Sequence, residues 1–202
     1  IVGEYVLPDH IIDEIAARTD GVPLFVEEMT KAVVEARDDG LAIAAIPASL
    51  HDSLLARLDR LPGVREVAQT AACIGREFDY ELLVQVAGIP RSQVDEALGQ
   101  LYGAELVFRR GVPPATRHVF KHALVRDAAY GSLLRSRRKA IHRSILDALT
   151  QRREAVPKIL IAQHAEEAGE SLLAIECFLA AGQEATKRSA NEEAIGAIAR
   201  AL

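Results

Sequence analysis

A mainly α-helical fold with one small β-ribbon is what the 202-residue sequence predicts, and three observations predict it. Half of the residues are apolar, yet only 4% are aromatic and tryptophan is absent, while alanine and leucine dominate. That is the composition of packed helices rather than of a β-sandwich. Apolar residues recur at helical spacing along most of the chain. The helical stripes give way once, to two short β-rich runs on either side of Gly111-Val112-Pro113-Pro114.

The elements follow in order. Ile11, Ile12, Ile15 and Ala16 form the stripe of a first helix that starts near Pro8-Asp9 and ends near Thr19. Gly21 can take the left-handed conformation that closes it. Pro23 suits the first turn of the next helix, where its missing N–H has no intrahelical partner. That helix puts Phe25, Val26, Met29, Val33 and Val34 on one face, and Asp38-Asp39-Gly40 breaks it. Residues 41–46 read as a strand or a linker. Pro47 opens a helix with Leu50, Leu54, Leu55, Leu58 and Leu61 on one side and Asp52, Arg57 and Asp59 mostly on the other. Residues 1–61 thus make a small helical bundle.

From Pro62 the spacing changes. Helices over Val64–Ile74, Tyr80–Ala87 and 93–102 are joined by Gly75-Arg76-Glu77-Phe78 and by Gly88-Ile89-Pro90. Strands over 106–110 and Arg117–Phe120 follow. Three short helices and then a two-stranded ribbon is the winged-helix order, and it is assigned to residues 62–135. After His122 the pattern is helical again, over 123–134, 139–151, 157–168, 171–188 and 191–202. The run from Ala174 to Gly182 has the small-and-large alternation of a tetratricopeptide helix, so 136–202 reads as a helical linker and the start of TPR-like repeats.

Composition excludes several function classes. Net charge is −5 and the isoelectric point is near 5.7, so no overall basic field advertises nucleic acid. Cys73 and Cys177 both sit in apolar helical patterns, which predicts buried thiols in a reducing compartment. No apolar run approaches the ~20 residues of a membrane span, and no signal peptide precedes the pattern, so a soluble, cytoplasmic chain is expected. Ile1 rather than Met comes first and the last helix stops in mid-pattern. This reads as a fragment of a longer protein.

Gly21-Val22-Pro23-Leu24-Phe25-Val26-Glu27-Glu28 resembles the "GxP" turn in the helical lid of STAND-class nucleotide switches, the AAA+ relatives that include NB-ARC proteins and LuxR-type ATPases. In that family the proline packs on the adenine of bound ADP or ATP, so Gly21, Pro23 and Leu24 are candidate nucleotide contacts. Phe120-Lys121-His122-Ala123-Leu124-Val125-Arg126-Asp127 resembles the His motif that ends the family's winged helix, where the imidazole reaches the β-phosphate of ADP. A helix N-terminus suits an anion, whereas the plain reading of His122 is a cap or a polar niche. The segments Ile46 to Leu61, Ala72 to Phe78 and Phe120 to Leu134 are similar to bacterial AAA-type ATPases attached to adenylate/guanylate cyclase or LuxR-type domains. The resemblance covers nearly the whole chain in the expected order. Val22 departs mildly, where Asn is common.

The resemblance implies a lid, a winged helix and the start of a sensor arm. In the parent protein ADP would bridge an upstream nucleotide-binding core to Pro23 and His122. Exchange for ATP would free the winged helix and let a cyclase or transcriptional output act. The repeats would receive a protein or small-molecule effector. The 202 residues hold no G-x-x-x-x-G-K-[ST] loop and no strand ending in magnesium-binding acids, so this chain is expected neither to hydrolyse ATP nor to bind nucleotide tightly alone.

The remaining candidate residues also have plainer roles. Arg57 reads as a phosphate-facing lid arginine or as a solvated residue beside Asp59. Arg135-Ser136-Arg137-Arg138-Lys139, with Arg143, reads as a phosphate or nucleic-acid contact or as a solvated connector. The helix that would enter a major groove carries Asp95 and Glu96 and one Arg at its start, so direct DNA binding is not expected. Glu27 and Glu28 point about 100° apart on a helix and read as charges that favour its dipole. His10, His51, His118, His142 and His164 lack metal spacing, and no catalytic constellation is found. The rival readings are a winged-helix transcription regulator and a helical protein-interaction scaffold.

Overall fold

Residues 7–19, 22–38, 50–61, 63–111, 116–152 and 156–201 are described by the computed structural model, and they form eleven helices and three short strands. The chain is mainly α-helical. Gly21, Pro47, the segment 41–46 and the ribbon tip 112–115 lie outside the described residues.

Helices α1 (Asp9–Thr19) and α2 (Pro23–Asp38) pack through Ile11, Ile15, Met29 and Val33. Helix α3 (Leu50–Asp59) turns Leu54 and Leu58 into a larger core shared with α4 (Val64–Ile74), α5 (Tyr80–Ala87) and α6 (Arg91–Gly103). The Asp79 side chain caps α5 by accepting from the Leu82 N–H at 2.9 Å, and Gly88 ends that helix at φ 68°, a left-handed value glycine adopts without strain.

The expected ribbon is formed by β2 (Val107–Arg110) and β3 (Arg117–Phe120), antiparallel, with Val107 opposite Phe120 and Arg110 opposite Arg117. The connector at 75–78 holds a third strand that the sequence did not reveal. Glu77 and Phe78 (β1) pair with β3, Glu77 opposite Val119 and Phe78 opposite His118, which gives the order β1-β3-β2. Two residues are too few to display an alternating pattern. The extra strand places Phe78 in the centre of the core, its ring 5.5 Å from that of Phe120 and both rings fully buried.

Helix α7 (Ala123–Gly131) leads to α8 (Arg135–Thr150), whose first turn is the basic run taken as a connector. The correction has a local cause. The Arg138 guanidinium lies 4.2 Å from the centre of the Tyr130 ring and donates to the Leu133 carbonyl, which holds the first turn against α7. Helix α8 also divides its buried residues between two cores. Ile141 and Ile145 join Cys73 and Leu82, while Leu146 joins Ile161, Ala165 and Phe178 of the arm.

The arm consists of α9 (Lys158–Ala168), α10 (Ser171–Lys187) and α11 (Asn191–Ala201). Small residues let these helices approach closely. At Gly182 an added Cβ would sit 2.7 Å from the Ile198 side chain. Both cysteines are buried and unpaired, and burial pushes the Cys73 thiol up to about 12. Among the described residues no helix is long and apolar enough to cross a membrane.

Phe78 is the residue through which β1 contributes to the core. Phe78→Ala should lower the unfolding free energy by about 3–5 kcal/mol, the usual loss for a buried aromatic. Denaturant unfolding followed by far-UV circular dichroism checks this, and a loss below about 1 kcal/mol would mean the third strand adds little.

Candidate functional site

The α1–α2 turn closes with the Val22 N–H donating to the Thr19 carbonyl at 3.0 Å, and Pro23 then opens α2 with Leu24 after it. Pro23 is exposed, flanked by the exposed side chains of Val22 and Val26. The start of α2 therefore presents a small apolar edge to solvent. Val26 was expected on the packed face. The inward position belongs to Glu28 instead, which is 2% exposed.

Glu28 is there because Arg57 meets it. The Arg57 guanidinium, equally buried, donates to the Glu28 carboxylate, and its second terminal nitrogen donates to the Ala104 carbonyl at 2.8 Å. This overturns the solvated reading of Arg57 and the dipole-charge reading of Glu28. Two of the Arg57 donors are committed inside the protein, one to α2 and one to the turn after α6.

A second, more exposed layer of charge lies over this pair. Glu27 receives hydrogen bonds from Lys121 at 3.0 Å and Lys31 at 3.1 Å, and Glu105 pairs with the same two lysines. Glu105 adopts the left-handed conformation, φ 55°, in the turn that brings its carboxylate to them. The hydrogen bonds from Lys121 and Lys31 hold the Glu27 carboxyl at about 2 instead of its ordinary 4.5. A depressed carboxyl stabilises the fold above pH 4.5, and its contribution is lost as pH falls toward about 2.

These contacts fix where the sequence candidates lie. Glu27 is one turn beyond Pro23 on α2, and Lys121 immediately precedes His122. The start of α2 and the β3–α7 junction therefore meet at one ion pair. His122 occupies the N-terminal cap position of α7, but its ring makes no capping hydrogen bond. Its Nε2 is buried and has no hydrogen-bond partner among the described residues. Arg57 lies behind this junction with its terminal nitrogens engaged, and Gly21 is outside the described residues. Among the described residues no group of three or more His, Cys, Asp or Glu side chains is arranged to hold a metal.

Sequence reasoning missed a buried polar chain where α7, α8 and α9 meet. His142 Nδ1 lies 2.9 Å from His164 Nδ1, His142 Nε2 lies 3.2 Å from the Tyr130 hydroxyl, and that hydroxyl donates to Glu167 at 3.0 Å. Tyr130 spends its proton on Glu167, so it accepts from His142 Nε2–H, and His164 then donates to His142 Nδ1. Both rings are neutral in this scheme. Burial, then the nearby guanidinium groups of Arg126 and Arg138, hold His142 at about 4. Burial, then His142 itself, does the same for His164. Twenty-two residues separate the two histidines, and no motif joins them.

Two clefts lie apart from the α2–β3–α7 junction. A groove of about 1350 Å³ runs between the end of α8 and α9–α11, with Val156, Ile161, Ala185 and Ala197 among its walls. A cleft of about 600 Å³ lies under the ribbon, walled by Tyr80, Tyr102 and His118 with Asp95 and Arg109.

No family model matches the chain, and no solved structure matches it. In an alignment of 198 positions that covers 93% of the chain, it is 35% identical to an uncharacterized protein of Rhizobium meliloti. The chain spans 19% of the length of that relative.

Two outcomes follow from the buried groups. Arg57→Ala should cost about 3–5 kcal/mol because it strands the Glu28 carboxylate in the interior, whereas Arg57→Met with Glu28→Leu should cost much less. A double-mutant cycle by chemical denaturation measures the coupling, and equal losses in the two variants would deny it. Unfolded histidine titrates near 6.5, while the folded pair titrates near 4, so unfolding takes up protons in that window. The melting temperature should fall as pH drops from 6.5 toward 4. His164→Gln should flatten that fall, measured by calorimetry across the same range.

Proposed function

We propose that the chain is the regulatory part of a nucleotide-dependent signalling switch of the STAND type. In this reading residues 1–61 are the helical lid, 62–135 the winged helix, and 136–202 the linker and first TPR-like helices of a sensor arm. The observation that carries it is the Glu27–Lys121 ion pair, which joins the first turns of α2 to the residue before His122. The two motifs are distant in sequence, and the reading requires them at one nucleotide-facing junction. Exposed Val22, Pro23 and Val26 suit an adenine, and the unpartnered His122 Nε2 suits a phosphate oxygen once its ring turns out of the buried position it holds here.

The mechanism is population shift. ADP contacted by an upstream core, by Pro23 and by His122 binds the closed arrangement better than the open one. Exchange for ATP removes that difference and frees the arm for an effector and an attached cyclase or transcriptional output. The phosphate loop and magnesium ligands belong to the upstream core, and the setting is cytoplasmic. This chain contributes contacts and transmits motion; it is not the ATPase. The exposed positions of α6 include Arg91, Asp95 and Glu96, and Arg91 is held by two hydrogen bonds to Glu81, so nothing on that helix favours direct reading of DNA.

The test uses the longer polypeptide that carries the nucleotide core. His122→Ala should speed ADP release about tenfold or more, the worth of a charge-assisted hydrogen bond of roughly 1.5–3 kcal/mol, and raise basal output. Stopped-flow release of a fluorescent ADP reads this directly. Unchanged release and unchanged basal output would leave His122 a structural residue and sink the switch reading at that position.

A further inference from the structure

The two faces of the small sheet differ in how completely their polar groups are satisfied. On the inner face the cleft under the ribbon has closed its own network. Tyr80 donates to Asp95, Tyr102 bonds His118, Arg109 covers the Tyr102 ring at 4.9 Å, and Asp79 is held by Leu82 and Arg152. Among the described residues these groups are engaged with one another.

The outer face is open along β2, while its centre at Val119 is 6% exposed. Strand alternation and the register put Glu77, Phe108, Arg110, Arg117 and Val119 on this side. Phe108 is 44% exposed, although the inner-face residues Phe78 and Phe120 are fully buried. Arg110 and Arg117 stand directly opposite one another, and both are exposed. Like charges in that position repel and weaken strand pairing. Arg117 has only a long contact to Glu77 at 3.8 Å, and Arg110 has no side-chain partner among the described residues. Strand β2 is also an edge, with no strand beyond it among the described residues. An unpaired edge carrying an exposed aromatic ring and one cation, with a second cation opposite it on β3, is a surface with unmet contacts.

We propose that this face docks an acidic, extended segment of a partner protein along β2, an apolar side chain resting on Phe108 and carboxylates engaging Arg110 and Arg117. The period of two along a strand sets the recognition pattern, an acidic residue two positions from an apolar one. A carboxylate between the arginines removes their repulsion and can accept two hydrogen bonds from either fork. Nucleic acid fits less well. Two guanidinium groups fall far short of the 6–10 phosphate contacts that typically carry such affinity. The proposal stands apart from the nucleotide reading, since none of its residues belongs to the α2–β3–α7 junction.

The test is fluorescence anisotropy with the 202-residue chain. The probe is a labelled seven-residue peptide with leucine at its centre, a glutamate two positions to each side, and serine elsewhere. Saturable binding is expected. It should weaken at least tenfold in Arg110→Glu/Arg117→Glu and severalfold in Phe108→Ser, and a glutamine version of the peptide should not bind. Circular dichroism shows whether each variant folds. If the double variant does not, Arg110→Gln alone should weaken binding at least threefold. No saturable binding up to millimolar protein overturns the proposal, as does affinity indifferent to these substitutions. A single-stranded oligonucleotide that binds more tightly than the peptide overturns it in favour of a nucleic-acid surface.

Discussion

The buried Glu28–Arg57 pair fixes how the first helices sit on the rest of the molecule. Each charge is costly inside a protein, and each is tolerated only because the other is present with good hydrogen-bonding geometry. Arg57 also reaches the Ala104 carbonyl, so one guanidinium holds α2, α3 and the turn after α6 in a single relation. Apolar contacts alone would permit several sliding arrangements of α2 over that turn. An ion pair in the interior permits very few. The outer quartet of Glu27, Lys31, Glu105 and Lys121 reinforces the same arrangement from the solvent side, where salt and water weaken it.

Two layers with such different susceptibilities suit an interface that must have one geometry and still come apart. The outer layer responds to ionic strength and to competing charge. The inner pair sets the register to which the interface returns. In the proposed switch, nucleotide contacts at Pro23 and His122 would add to an arrangement that the charges already define, so the nucleotide would bias it without having to create it.

Helix positions were legible in the sequence because apolar stripes run long enough to display their period, as in α4, α5 and α10. The strand Glu77–Phe78 was not legible, since pairing with β3 defines it and its own two residues carry no pattern. Glu28 and Arg57 were read as surface charges because a single carboxylate or guanidinium in a helix ordinarily faces water. Only the twenty-nine-residue separation bridged by the fold makes them partners. His142 and His164 were invisible for the same reason. The basic start of α8 looked like a connector because cations in a first turn oppose the helix dipole. The stacking of Arg138 on Tyr130 compensates for that. As for the candidate site, the sequence placed Pro23 and His122 in their local settings, while the bridge between those settings came from lysine and glutamate side chains outside both motifs.

Helix α8 has a mechanical consequence. Ile141, Ile145, Ala148 and Leu149 pack with Cys73 and Leu82, while Leu146, on another side of the same turns, packs into the arm. Its sixteen residues span about 24 Å at 1.5 Å per residue, with no break between the two attachments. Along α8 the arm and the sheet-bearing core therefore share one rigid element. A tilt of about 10° of α8 carries one of its ends roughly 4 Å relative to the other, and the residues packed on both of its sides move with it. Displacements too small to notice among close-packed side chains become movements of a whole helix diameter's fraction at the other end.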